Sequence, residues 1–199
     1  MKKILIANRA EIACRIIDSV QAAGFDAIAV YSDADAHSLF VSLADASVGI
    51  GGKTPAESYL DIEKIIDAAK AAEADAIHPG YGFLSENAEF AQACADNNIK
   101  FIGPSPYAIK KMGNKASAKD LMIEAGVPCV PGYQGAGQDN PELMREAEKI
   151  GVPIMVKAAA GGGGRGMRLV RHLADMEAAL DSARSESLSA FGSDELILE

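Results

Sequence analysis

Short apolar runs alternate, over the first hundred residues, with longer stretches in which apolar positions recur every three or four residues. Residues 3–7 carry Ile4, Leu5, Ile6 and Ala7 without interruption, the pattern of a short strand buried on both faces. Residues 11–23 follow with apolar side chains at 12, 16, 17 and 20 and a stop at Gly24, which predicts a helix. Residues 26–31 and 47–51 read as a second and third strand, and residues 60–73 as a helix with Ile62, Ile65, Ile66 and Ala69 on one side. Two more short strands, 76–78 and 99–102, flank a helix over 86–97 that Ser85 or Glu86 is placed to cap. Strands alternating with helices at this pace predict right-handed βαβ units and an open parallel sheet covered on both faces. Such a sheet binds its ligand beyond the carboxyl ends of its strands.

The pattern changes after residue 102. Gly103-Pro104-Ser105-Pro106 interrupts the chain, helical stretches follow over 107–112 and 116–125, and Pro128, Pro131 and Gly132 make a second break. Beyond it, a helix (141–150), a strand (154–158), a glycine tract, a strand (167–170) and a helix (173–186) predict a small α+β unit. The expected division is an α/β domain up to about residue 103 and a separate unit from about residue 130.

Composition narrows the partners. The 199 residues are 49% hydrophobic but only 6% aromatic, with no Trp, so the core is aliphatic. A formal charge of −9 argues against nucleic acid or an anionic membrane as partner, because both call for broad basic surfaces. Cys14, Cys94 and Cys129 are scattered through apolar or helical context and read as reduced core thiols of a cytoplasmic protein. The apolar start is too short for a signal sequence or a membrane span.

Chemistry concentrates in residues 157–168, Lys-Ala-Ala-Ala-Gly-Gly-Gly-Gly-Arg-Gly-Met-Arg. Lys157 ends an apolar run, and Gly161, Gly162, Gly163 and Gly164 leave backbone N–H groups unshielded, so the segment suits the oxygens of a polyphosphate. The turn after the first strand, Ala7-Asn8-Arg9-Ala10-Glu11, lacks the glycines of a dinucleotide site. Gly52-Lys53-Thr54 imitates the end of a P-loop, but Ser47 stands where its first glycine belongs, so a turn is expected there. Asn8 is placed to cap the first helix. Arg9 fits a structural ion pair or a site role equally well, and His78, at a strand end, fits a hydrogen-bonded histidine or a ligand contact. Of the lysines at 110, 111, 115 and 119, only Lys115 has an inward-facing context; the others read as a solvated charge run.

Three segments together, residues 4–13, residues 78–87 (His-Pro-Gly-Tyr-Gly-Phe-Leu-Ser-Glu-Asn) and residues 157–168, resemble the biotin carboxylase component of biotin-dependent carboxylases. Other ATP-grasp ligases, the rival family, share the glycine loop but not the first two segments. The resemblance runs the length of the chain. It implies a Rossmann-like pre-ATP-grasp domain over 1–114 and, over 115–199, a partial ATP-grasp domain with a glycine-rich α+β lid. It implies that ATP and bicarbonate form carboxyphosphate, with Mg2+ or Mn2+, and that biotin on a carrier protein takes up the CO2. A carboxyltransferase would use the product in an acetyl-, propionyl-, methylcrotonyl- or geranyl-CoA carboxylase, and the complete protein would be a homodimer. On matching positions Lys115 and Lys157 contact the ATP phosphates, the lid glycines close over them, and Glu199 starts the hinge that holds the adenine. The family's metal ligands, bicarbonate arginine and base fall beyond Glu199, so residues 1–199 alone are expected to be inactive. Ala10 stands where the family has glycine, an exchange tolerated if its φ is negative.

Overall fold

The computed structural model describes residues 2–160 and 164–199, and these divide into two units at Lys110/Lys111. In the first, β1 (Lys3–Ile6), α1 (Ala10–Ala22), β2 (Asp26–Tyr31), α2 (Leu39–Leu43), β3 (Ala46–Gly49), α3 (Ile62–Ala71), β4 (Ala76–His78), α4 (Ala88–Asp96) and β5 (Lys100–Phe101) follow in order. The five strands form one parallel sheet in the order β3-β2-β1-β4-β5. Alternation along the strands sorts the core into two layers. Leu5, Ile28, Val30 and Ile77 pack with Ile65, Ile66 and Phe90, whereas Ile4, Ile6, Ala27 and Ala29 pack with Ile16, Ile17 and Phe40. The fold is α/β with the parallel sheet that the sequence pattern predicts.

Caps and turns depart from expectation in instructive ways. Asn87, not Ser85 or Glu86, caps α4, its Oδ1 accepting from Phe90 N at 2.8 Å. Asn8 does not cap α1; its side chain is committed elsewhere. Lys53 and Thr54 both donate backbone N–H groups to Glu57 Oε2 at 3.0 Å, so the P-loop look-alike is a capped 3-10 turn. Ala10 lies at φ +52°. The exchange of glycine for alanine is therefore made at a left-handed position, contrary to the condition under which the sequence tolerates it freely. Cys94 is buried, and burial pushes its thiol up to about 11, whereas Cys14 and Cys129 are only half-buried.

After α5 (Pro106–Gly113), the second unit contains α6 (Lys115–Glu124), α7 (Asn140–Ile150), β6 (Ile154–Ala158), β7 (Met167–Val170), α8 (Met176–Phe191) and β8 (Leu196–Leu198). Its three strands form an antiparallel sheet, β7-β6-β8, and so Ile154 to Val170 adds nothing to the first sheet. Ile154, Val156, Leu196 and Leu198 turn one face toward Leu143, Met176 and Leu180. Ile197, Ala159 and Ala116 pack together against the other. Strand β8 has no counterpart in the sequence reading, being only three residues long next to the end of α8. Among the described residues no helix is long and apolar enough to cross a membrane.

Candidate functional site

In the first unit the strand order reverses at β1, which pairs with β2 on one side and β4 on the other. Segments leaving the carboxyl ends of β1 and β4 therefore meet at the switch point of the sheet. Asn8 is buried there; its amide donates to the carbonyls of Pro79 at 3.0 Å and Tyr81 at 2.9 Å, while its Oδ1 accepts from Arg9 N. Gly80 lies at φ +70°, and a Cβ at that position would run into the Asn8 side chain. Asn8 thus pins the loop after β4 rather than starting a helix.

Arg9 takes the ion-pair role. Its Nη1 donates to Asp35 Oδ2 at 3.1 Å, and its guanidinium lies 5.8 Å from the centre of the Tyr59 ring, within cation–π range. The same Asp35 oxygen accepts from the Tyr59 hydroxyl at 2.7 Å and from Ser32 Oγ at 3.0 Å. Burial alone raises the Asp35 pKa, but the hydrogen bonds from Tyr59 and Ser32 and the Arg9 charge outweigh it and hold the carboxyl below its ordinary value. Burial pushes Tyr59 up to about 12, with the Asp35 contact adding to the rise. The Tyr59 ring stacks on Phe83 at 5.2 Å and 7°, which ties the network to the same loop. His78 Nδ1 accepts from Gly80 N–H at 3.0 Å, which puts its proton on Nε2. Burial, helped by Arg15, lowers its pKa and so favours the neutral ring.

In the second unit, period-two alternation places Lys157 and Glu199 on one face. Lys157 lies opposite Ile197 in the β6–β8 register, and Glu199 exchanges both backbone hydrogen bonds with Met155. Their side chains are diagonal neighbours of the kind that reach each other in a sheet, and Lys157 Nζ donates to Glu199 Oε2. The other carboxylate oxygen accepts from Lys119 Nζ at 3.1 Å. Lys119 comes from α6, whose first N–H, on Lys115, donates to Ala159 O at 3.0 Å and whose capping Asn114 donates to Glu195 Oε2 at 2.7 Å. These contacts lay the helix across the sheet face. Burial raises the Glu199 pKa, but the hydrogen bonds from Lys157 and Lys119 outweigh it, and the net shift is downward.

The structure thus joins Lys157 to Glu199 directly and sets Lys115 at the head of the helix that completes the cluster. Lys119, assigned by its sequence context to a solvated run, is 8% exposed. The signal that could have found it is its spacing, four residues after Lys115 and hence on the same helix face. Asp35 and Tyr59 carried no comparable signal. Gly164 lies at φ +78°, and Gly166, at φ +66°, sits where a Cβ would come 2.9 Å from that of Ala158, so the return from the glycine tract needs glycine for close approach to β6. Gly161, Gly162 and Gly163 lie outside the described residues. Among the described residues no three His, Cys, Asp or Glu side chains come together as a metal ion would need.

Comparison with known proteins shows the family of the chain. Residues 1–109 match the biotin carboxylase N-terminal domain, and residues 114–199 match the ATP-binding domain of the carbamoyl-phosphate synthase L chain. The chain is 52% identical, over 99% of its length, to the mitochondrial methylcrotonoyl-CoA carboxylase subunit alpha of Dictyostelium discoideum, and covers 28% of that protein. A biotin carboxylase–βγ-ATP complex from Campylobacter jejuni superimposes over the whole chain with a TM-score of 0.96 and 52% identity. The biotin carboxylase domain dimer of Hydrogenobacter thermophilus 2-oxoglutarate carboxylase, solved with MgADP, ADP and bicarbonate, gives 0.94 and 44%. The chain spans 44% of each of those two solved chains.

Proposed function

The chain belongs to the biotin carboxylase family, and from that premise we propose that it supplies the nucleotide side of ATP-dependent carboxylation of carrier-bound biotin with bicarbonate. In this reading residues 1–114 are the pre-ATP-grasp domain and residues 115–199 the beginning of the ATP-grasp domain. The observation that carries it is the convergence of Lys157, Glu199 and α6 on one face of β6–β8, beside the glycine return at Gly164 and Gly166. Lys157 and Lys115 neutralise phosphate oxygens, and the backbone N–H groups of Gly161, Gly162, Gly163 and Gly164 donate to the same group. The segment entered at Glu199 borders the adenine. Charge neutralisation by fixed cations and backbone donors is what phosphoryl transfer to bicarbonate requires of a protein. Mg2+ or Mn2+ accompanies the nucleotide, as the family resemblance implies.

The remaining assignments follow the family. A biotin carboxyl carrier presents the acceptor, and a carboxyltransferase consumes the product in an acyl-CoA carboxylase of the acetyl-, propionyl-, methylcrotonyl- or geranyl-CoA type. The 52% identity to a methylcrotonoyl-CoA carboxylase subunit supports that class, and the solved domain dimer supports a homodimer. Three unpaired cysteines suit a reducing compartment such as the cytoplasm. The test is equilibrium binding of ATP to residues 1–199 and to its Lys157→Gln variant. A charge-assisted phosphate contact is worth about 1.5–3 kcal/mol, so affinity should fall by about ten- to a hundredfold with the fold unchanged. Equal affinities would remove Lys157 from the phosphate site.

A further inference from the structure

Two ammonium groups and one carboxylate meet beneath α6, and the three charges do not cancel. Each oxygen of Glu199 faces its own lysine, Oε1 with Lys119 and Oε2 with Lys157. The two lysines are held differently. The Lys119 side chain is 8% exposed, and Gly132 comes so close that a Cβ there would lie 2.9 Å from its Nζ. That ammonium has one place to be. The Lys157 side chain keeps 25% exposure, so an anion arriving from solvent can reach it.

We propose that Glu199 is a built-in anion that occupies Lys157 until a phosphate displaces it, and that Lys119 is the positioning residue that retains the carboxylate after Lys157 is handed over. The proposal rests on the reading of Lys157 as a phosphate contact and adds the device that keeps it ready. Without Glu199, the two ammonium groups would face each other with no anion between them. Without Lys119, releasing Lys157 would strand a largely buried carboxylate, which is costly. With both present, the exchange swaps one oxyanion for another at Lys157, leaves Glu199 paired throughout, and lets the excess positive charge fall on the phosphate.

Binding of ATP and inorganic triphosphate to residues 1–199 tests this, with Glu199 Cδ and the lysine Nζ groups followed by NMR. Glu199→Gln removes the competing anion, so ATP and triphosphate should bind about five- to tenfold more tightly, with triphosphate, which has no adenine to meet the hinge, reporting on the phosphate contact alone. Lys119→Met leaves Glu199 to Lys157 alone and should weaken both phosphate ligands by a similar factor. In the Glu199→Gln background, Lys119→Met should lose that effect, because there is no carboxylate left to retain; a general charge effect would instead add. Addition of ATP to the unaltered chain should break the Lys157–Glu199 contact and keep the Lys119–Glu199 one.

Unchanged or weakened phosphate binding in a folded Glu199→Gln chain, or additive effects in the double variant, would overturn the exchange. If Glu199→Gln fails to fold, the sign of the Lys119→Met effect and the ATP-induced change at Glu199 decide the matter by themselves. An unaltered chain that takes up neither ATP nor triphosphate would instead overturn the phosphate reading of Lys157, and the exchange with it.

Discussion

Asp35 and Glu199 are both carboxylates with depressed pKa values, one in each unit, yet their surroundings differ in kind. Asp35 gathers one guanidinium and two hydroxyls onto a single oxygen, and Tyr59 in turn accepts from Ser32 N at 3.1 Å and stacks on Phe83. Charge balances there, and every member has a second attachment. Glu199 divides its two oxygens between two lysines, one buried and one partly open to solvent. Positive charge is left over. A closed network of the first kind fixes loops, whereas an open one of the second kind can trade a partner. The same elementary pair, a carboxylate and a cation, thus serves as a lock in one unit and as a prepared anion site in the other.

The largest expected effect breaks the lock. Asp35→Ala deprives Arg9, the Tyr59 hydroxyl and the Ser32 hydroxyl of their shared acceptor, and should destabilise the first unit by about 3 kcal/mol. Urea unfolding followed by far-UV circular dichroism measures it, and ATP affinity should stay as it was. A loss below about 1 kcal/mol would show that the network is ornamental and that the contrast with Glu199 is false.

Next comes the Lys157→Gln substitution, in which the contrast runs the other way. ATP affinity should drop by about ten- to a hundredfold, while unfolding stability changes by less than about 1 kcal/mol because Lys119 still neutralises Glu199. A large loss of stability with little loss of ATP binding would place Lys157 in a lock like that of Arg9.

A smaller effect distinguishes the two carboxylates by pH. Each has a folded-state pKa below its ordinary value, so each contributes stability above the ordinary carboxylate pKa of about 4 and loses it as pH falls through the depressed one. Asp35→Asn should flatten the acid limb for amides of the first unit, and Glu199→Gln that for amides of the second, in hydrogen-exchange profiles resolved by residue. Saturating ATP should leave the Asp35 limb in place. An acid limb that survives both substitutions would assign it to other carboxylates.

The contrast also explains what was readable in the sequence. The parallel sheet was legible because strands such as residues 26–31 and helices such as α1 carry the hydrophobic period in their own residues. The place of Lys157 near the end of a strand, just before the glycine tract, was legible because strand, lysine and glycines are adjacent in the chain. Asp35 and Tyr59 were not, since the network joins residues 9, 32, 35 and 59 through folding alone and none of them sits in a patterned segment. Lys119 was hidden by its neighbours: four lysines within ten positions read as one solvated face, and only the packing of α6 on β6–β8 separates residue 119 from 110 and 111. Strand β8 escaped for a similar reason, because its pairing with β6, not its own three residues, makes it a strand.

The smallest prediction concerns the residue next to Arg9. Ala10 at φ +52° carries a left-handed backbone that costs a non-glycine residue about 1–2 kcal/mol, and such strain persists only where the surroundings over-determine it. The lock supplies that constraint, since Asn8 and Arg9 are both tied down by side-chain bonds immediately before the turn. Ala10→Gly should relieve the strain but returns freedom to the unfolded chain worth about 0.4–1 kcal/mol. A net gain of about 0.5 kcal/mol is therefore expected, visible as a raised urea midpoint with an unchanged slope. In the Asp35→Ala background the gain should shrink, because with Arg9 released the turn can relax without glycine. An Ala10→Gly protein less stable than the parent would mean that the turn is unstrained as it stands and that Asn8 and Arg9 hold nothing under load.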